Sequence, residues 1–254
     1  MNKGVRGIDN VCLLKAGYVE HLIIYYNILY GLPDDSVDAY EEMLELLPRI
    51  YHLMPPVSRT EIVVTRYAPL QVDPGRFRNS KKPVHHECYD VLFSEEFLEN
   101  TGFSLDDYGY YFERNFDYSE ELKLSYSQLV LQVDHWKNQH RTRFVELSYE
   151  SCDGVLMMTD SRYSLEKKYL LSDAASLLYK RIDHRPVKLG LVCMELNTTG
   201  QLNVDETKVA LAELEERRLI WQEDGFVFGL AIPKGVADAS RATHWPAHWL
   251  SIYA

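Results

Sequence analysis

The sequence has no apolar run approaching the length of a bilayer-spanning helix, and its N-terminus carries no short apolar stretch of the export type. Reduced thiols in a cytoplasmic protein are therefore the expected state of its four cysteines, Cys12, Cys88, Cys152 and Cys193. No C-x-x-C or other close spacing exists among them, which removes the usual zinc and cluster motifs. Basic residues are also short: 27 Lys and Arg stand against 38 Asp and Glu, a net charge of −11, which puts a nucleic-acid partner at a disadvantage. With 46% hydrophobic residues, the 254 positions can build one large or two modest cores.

What is present reads as alternating elements. Residues 7 to 20 have helical spacing, and an apolar run over 22–30 ends in Gly31-Leu32-Pro33-Asp34-Asp35. A run of that kind predicts a strand covered on both faces, with Gly31 allowing backbone to approach a ligand at the strand's carboxyl end. A helix is expected from Ser36 to Met54, kinked at Pro48 and ended by Pro55-Pro56. Thr60 to Tyr67 predicts the next strand, parallel to the first through a β-α-β crossover. Residues 68–90 read as a long loop, and a helix is expected from Asp117 or Ser119 to His140.

The pattern then changes. Phe144–Tyr149 and Val155–Thr159 flank Asp153-Gly154, a hairpin turn signal, and a third strand is expected over Ser164–Leu170. Three helices should follow, from Ser172, from Pro186 and over Asn203–Arg218, the last opened by an Asn203/Glu206 capping box. Leu219–Gln222 and Phe226–Ile232 flank a second hairpin turn, Asp224-Gly225. Three helices and a hairpin wing describe a winged helix. The expected fold class is α/β plus α+β: a partial (β/α) barrel segment at 1–142, then a winged-helix domain with a three-stranded sheet at 143–254. An isolated barrel segment exposes an edge, so a homo-oligomer, a partner, or cover from the 68–90 loop is expected.

Several short stretches are similar, in one order, to radical SAM enzymes that mature ribosomally made peptides, of the cobalamin-dependent type. They are Lys3-Gly4-Val5, Leu13-Leu14-Lys15, the Asn27–Asp35 stretch, His52-Leu53-Met54-Pro55-Pro56 and Arg66-Tyr67-Ala68-Pro69. The family versions read K-G-V, L-L-K, N-L-L-Y-G-F-P-G-E, H-L-x-P-P and R-F-S-P. More loosely, 153–220 resembles the peptide-recognition module of such pathways, through Asp153-Gly154, Leu171-Ser172 and Leu211–Ile220. The departures are as specific: there is no C-x-x-x-C-x-x-C motif, Tyr26 replaces a Trp, Asp34 a Gly and Asp35 a Glu. The resemblance thus implies the carboxyl-terminal part of such an enzyme, without the family's SAM, 4Fe-4S cluster and cobalamin chemistry in this chain alone.

Two functional expectations follow. One is a non-catalytic binding protein for a precursor or leader peptide, or for a catalytic partner. By resemblance the leader lies between the third strand and third helix, near Leu165, Lys167, Lys168, Val209 and Ala212, with Arg217 and Arg218 suiting an acidic leader. The chain's own tail, with Trp245, Trp249 and Tyr253, is the competing occupant. The other is a diverged small-molecule enzyme of SAM type using Asn27, Gly31 and Arg66 as cofactor-binding residues, although Arg66 is equally suited to an ion pair with Asp34 or Asp35. His85-His86-Glu87-Cys88 has metal-binding residue types, but neighbours on a loop rarely converge on one ion, so no metal is expected. Pro246 likewise spoils the His244/His248 spacing. The third helix of the winged-helix region carries Asp205, Glu206, Glu213, Glu215 and Glu216, the wrong balance for phosphate contacts.

Overall fold

A computed structural model describes residues 5–78, 80–163 and 165–243. In chain order the elements are α1 (Gly7–Val19), β1 (Asn27–Tyr30), α2 (Val37–Arg49), β2 (Ser58–Glu61), β3 (Val64–Thr65), α3 (Pro69–Val72), α4 (Cys88–Leu92), α5 (Glu95–Thr101), α6 (Leu105–Tyr108), β4 (Tyr111–Phe112) and α7 (Glu120–Thr142). Then come β5 (Leu147–Cys152), β6 (Val155–Asp160), β7 (Lys167–Leu170), α8 (Asp173–Ile182), β8 (Val187–Lys188), α9 (Leu189–Thr198), α10 (Val204–Glu216), β9 (Ile220–Glu223), β10 (Phe226–Gly229), β11 (Ile232–Pro233) and α11 (Lys234–Thr243). The fold is mixed α/β with several small sheets, none of them closed among the described residues.

Packing divides the chain into two units, one from 1–26, 43–57 and 132–254, the other from 27–42 and 58–131. This division does not coincide with a cut at 142/143. The N-terminal helix and the turn after α2 belong with the C-terminal elements.

In the first unit, β5 and β6 form a hairpin whose turn residues Asp153 and Gly154 have φ of 50° and 95°, the left-handed pair that matches strand twist. Strand β7 pairs antiparallel with β6, and β11 adds in parallel to β5, giving the order β11-β5-β6-β7. The expected third strand shortens to Lys167–Leu170, and Ser164 lies outside the described residues. Ser172 caps α8 by accepting the Ala175 N–H, and the Asn203/Glu206 capping box opens α10. A second sheet has the order β8-β10-β9, with a left-handed Asp224-Gly225 turn between its hairpin strands. Helix α1 packs on β9, β10 and β11. It is fixed there by Lys15, whose buried ammonium donates to the carbonyls of Asp183 and Gly229, both at 2.8 Å, and to the Asp183 carboxylate. Tyr149 hydroxyl donates to the other oxygen of that carboxylate at 2.5 Å. Burial pushes the Lys15 pKa down, and Asp183 opposes it.

Helix α2 stops at Arg49, one residue after Pro48, rather than kinking and continuing to Met54. Proline removes a ladder bond, and the following turn is held by side chains instead. Trp136 Nε1–H donates to the carbonyls of Tyr51 and Leu53 at 3.1 Å each, and His140 Nε2–H donates to Tyr51 at 2.7 Å.

In the second unit, β1 and β2 are parallel, as the crossover requires. The strand expected over 22–30 is only Asn27–Tyr30, and it alternates between exposed and half-buried rather than being covered on both faces. With a single strand neighbour among the described residues, the apolar run before it forms no ladder; Leu22 and Tyr25 are exposed. The β-branched run 60–67 divides between two sheets: its start pairs with β1, while β3 pairs antiparallel with β4. The 68–90 loop contains short helical turns and bridges to Phe112 and Phe116 through His85 and Ser80.

Candidate functional site

The loop after β1 has the glycine conformation the sequence calls for. Gly31 has φ of 82°, a value L side chains rarely adopt. The loop is filled by the protein itself. Asp35 Oδ2 accepts the N–H of Gly31 at 3.1 Å and of Leu32 at 2.9 Å, and the hydroxyls of Tyr40 at 2.7 Å and Tyr126 at 3.1 Å. Tyr118 hydroxyl donates to the Gly31 carbonyl. A Cβ on Gly31 would meet Glu61 Cγ at 3.0 Å and the Tyr118 oxygen at 3.4 Å, so the glycine approaches protein atoms.

The proposed cofactor residues do not converge. Asn27 is at the opposite end of β1 from Gly31 and accepts the Ser58 hydroxyl at 2.9 Å. Arg66 reaches the carbonyls of Gly109 at 2.6 Å and Leu105 at 3.0 Å, holding the end of α6. Asp34 accepts the Arg78 N–H at 2.8 Å. The cysteines are equally dispersed, on α1, α4, β5 and α9, and no group of three or more His, Cys, Asp or Glu among the described residues is placed to hold a metal. These residues do not fit a SAM-bound iron–sulfur cluster. In the His85–Cys88 stretch, His86 Nδ1 accepts the Cys88 N–H at 3.1 Å, and the His85 ring packs on Phe112. His244 and His248 lie outside the described residues, as does the tail with Trp245, Trp249 and Tyr253.

A different feature does converge. Between β7 and the C-terminal end of α10 lies a cleft of about 360 Å³, lined by Asp160, Tyr163, Leu165, Lys167, Tyr169, Glu216, Arg217 and Arg218. Strand β7 is the terminal strand of its sheet, and among the described residues no strand pairs with its outer side. Helix α10 ends in a left-handed C-cap motif: Arg218, with φ of 54°, donates its N–H to the Glu215 carbonyl at 2.8 Å, and Leu219 donates to Leu214 at 2.9 Å. Glycine is the usual residue in that conformation. An arginine there accepts backbone strain and places its guanidinium 5.7 Å from the Tyr163 ring, while Arg217 stands 4.4 Å from the Tyr169 ring. Burial pushes the Tyr169 phenol up to about 12.

The cleft wall is held by Arg162, a fully buried side chain. Its guanidinium forms a two-pronged pair with Asp160, at 3.0 and 2.8 Å. It also donates to the carbonyls of Arg218 at 2.9 Å and Arg49 at 2.6 Å. One side chain thereby joins the end of β6 to the end of α10. Since Arg162 neutralises Asp160, the cleft presents Lys167, Arg218 and Arg217, the last with its Nε 3.5 Å from Glu213, against the remaining lining carboxylate of Glu216.

Of the residues expected here, Leu165, Lys167, Arg217 and Arg218 line the cleft. Leu165 is 85% exposed at its mouth. Lys168 does not line it, because successive strand residues face opposite ways; its ammonium is 3.7 Å from Glu166. Val209 and Ala212 are exposed on α10 but lie a turn or more before the lining residues. Tyr163, Tyr169 and Arg162 were not anticipated. Period-two alternation through Leu165 and Lys167 identifies Tyr169, whereas nothing in the pattern marks Arg162.

No family model, curated protein or solved structure matches the chain.

Proposed function

We propose that the chain binds an extended, acidic peptide along the outer edge of β7, as a leader-recognition protein of ribosomal peptide maturation that is non-catalytic alone. The observation that carries the reading is the cleft itself. Among the described residues, an edge strand with no strand partner on its outer side runs beside a helix end that presents two arginines, each set against a tyrosine ring from β7 or the segment before it. Strand addition supplies backbone hydrogen bonds without regard to sequence, and the side chains on the cleft face select what is added. The cationic lining selects carboxylates, and guanidinium groups bind these with two parallel bonds. The element order supports the same reading: the β5-β6-β7 meander followed by α8, α9 and α10 matches the module that the sequence resembles. On this reading α8 to β10, with β8 pairing beside the β9–β10 hairpin, is a winged helix that serves protein contact. The β1-α2-β2 crossover is a remnant of the barrel. A cytoplasmic location, a separate catalytic partner and self-association belong to the same proposal.

The test is selection of unstructured peptides from a display library on the full chain, followed by titration of the synthetic winners. The expected winners carry Asp or Glu beside apolar residues and bind in the micromolar range. Arg217→Glu and Lys167→Glu should each weaken them about tenfold, equivalent to about 1.4 kcal/mol. Winners indifferent to both substitutions would defeat the proposal.

A further inference from the structure

The second unit carries a surface of opposite character. Between Lys82 and Arg114 the sequence has eight acidic residues and no Lys or Arg. The same stretch carries a ladder of rings. Tyr89 stacks on Phe93 at 6.4 Å, Phe93 on Phe97 at 5.6 Å, and Phe103 on Tyr108 at 4.9 Å, with Phe93 and Phe103 joining the two stacks at 5.0 Å. These rings hold together α4, α5 and α6, of five, seven and four residues, each too short to be stable by itself.

The ladder is not a core. From His86 to Tyr111, Gly109 is the one buried residue among those whose burial is described. Val91 is 88% exposed and Tyr108 68%, and Leu92, Phe97 and Tyr110 are exposed with them. Chains rarely leave so many apolar side chains together in water without something to cover them.

We infer that the face formed by residues 84–111 docks an arginine-rich polypeptide segment. Its acidic charge repels nucleic acid and anionic membranes and attracts a cationic partner. The rings narrow the choice between cations. A guanidinium is planar and weakly hydrated, so it stacks on aromatic faces while its N–H groups pair with neighbouring carboxylates. An ammonium is a compact, strongly hydrated charge and gains less from the ring. The face therefore reads arginine in preference to lysine. It is independent of the β7–α10 cleft, whose charge is opposite.

The experiment uses the full chain and a fluorescein-labelled Arg-Ser-Gly repeat peptide, with Lys-Ser-Gly and Glu-Ser-Gly repeats for comparison. Anisotropy gives affinity at low and physiological salt, and hydrogen exchange gives the footprint. The arginine repeat should bind at least about fivefold tighter than the lysine repeat and weaken with salt. It should slow exchange within 84–111, and the acidic repeat should not bind. The combined Glu95→Gln, Glu96→Gln and Glu99→Gln variant, which leaves every ring in place, should weaken binding about tenfold or more. Phe97→Ser should erase the arginine preference, with circular dichroism confirming the fold. The inference would be overturned by no binding, equal arginine and lysine affinities, protection elsewhere on the chain, or unchanged affinity in the carboxylate variant. Concentration-dependent protection of 84–111 without peptide would assign the face to a second copy and overturn it equally.

Discussion

Replacing Arg162 with methionine tests whether one buried side chain holds the cleft wall. Methionine approximates the length of the arginine stem, so the packing loss is small and the lost bonds dominate. The substitution strips both side-chain contacts from Asp160, itself largely buried, leaving it the backbone N–H of residue 162, and removes the donors to the Arg49 and Arg218 carbonyls. Leaving a buried charge without its partner costs about 3–5 kcal/mol. That is a large share of a total stability of about 5–15 kcal/mol. With a urea m-value of about 1–3 kcal/mol/M, the midpoint should fall by more than about 1 M. Trp136 and Trp221 both lie in the first unit, so their fluorescence reports its unfolding. The partner substitution separates charge from shape. With Asp160→Asn added, the uncompensated charge is gone and at least about half of the loss should return. A single-variant loss below about 1 kcal/mol, or a double variant no more stable than the single one, would refute the reasoning.

Two further outcomes are expected. Arg218→Gly relieves a left-handed arginine, so the urea midpoint should rise by the equivalent of about 0.5–1 kcal/mol while affinity for selected acidic peptides falls; a loss of stability would show that the arginine contributes more in the fold than its strain costs. His140 is neutral in the fold because burial pushes its pKa down to about 4, while the unfolded chain takes up a proton below about 6.5. Its contribution is complete above that upper value and declines as pH falls toward 4, by at most about 3 kcal/mol. His140→Gln, which keeps a donor for the Tyr51 carbonyl, should flatten urea stability measured between about pH 4.5 and 7, and an unchanged slope would assign the dependence elsewhere, as to buried His52.

The elements legible in the sequence were those with a local physical cause. Both Asp-Gly hairpins, the Asn203 capping box and the Ser172 cap are set by residues close in sequence, and each is where its pattern places it; the β1–β2 crossover is parallel as expected, with shorter and shifted strands. Less legible was what depends on a neighbour's identity. Thr60–Tyr67 has uniform β propensity, so nothing in it shows that the run divides after Glu61 and that β3 leaves to pair antiparallel with β4. The apolar run from Leu22 resembles a buried strand by composition, but burial depends on what covers it. At the candidate cleft, alternation was enough to place Leu165 and Lys167 together and should have separated Lys168 from them. Arg162 was invisible because, beyond its neighbour Asp160, its partners are the carbonyls of Arg49 and Arg218, from two distant stretches of the chain.

The buried ammonium of Lys15 has a consequence for how this chain is made. Its acceptors are Asp183 and the Gly229 carbonyl, and the strands that cover its helix end at Pro233. At translation rates of about 5–20 residues per second, the first helix leaves the ribosome roughly ten to forty seconds before its seat exists. During that wait Ile8, Val11 and Tyr18, all buried in the finished fold, have none of their final β-strand neighbours. Helix α1 is synthesised well ahead of the strands it docks on. A nascent chain stalled before Asp183 would therefore offer an undocked, largely apolar helix to chaperones, and maturation should slow when they are depleted.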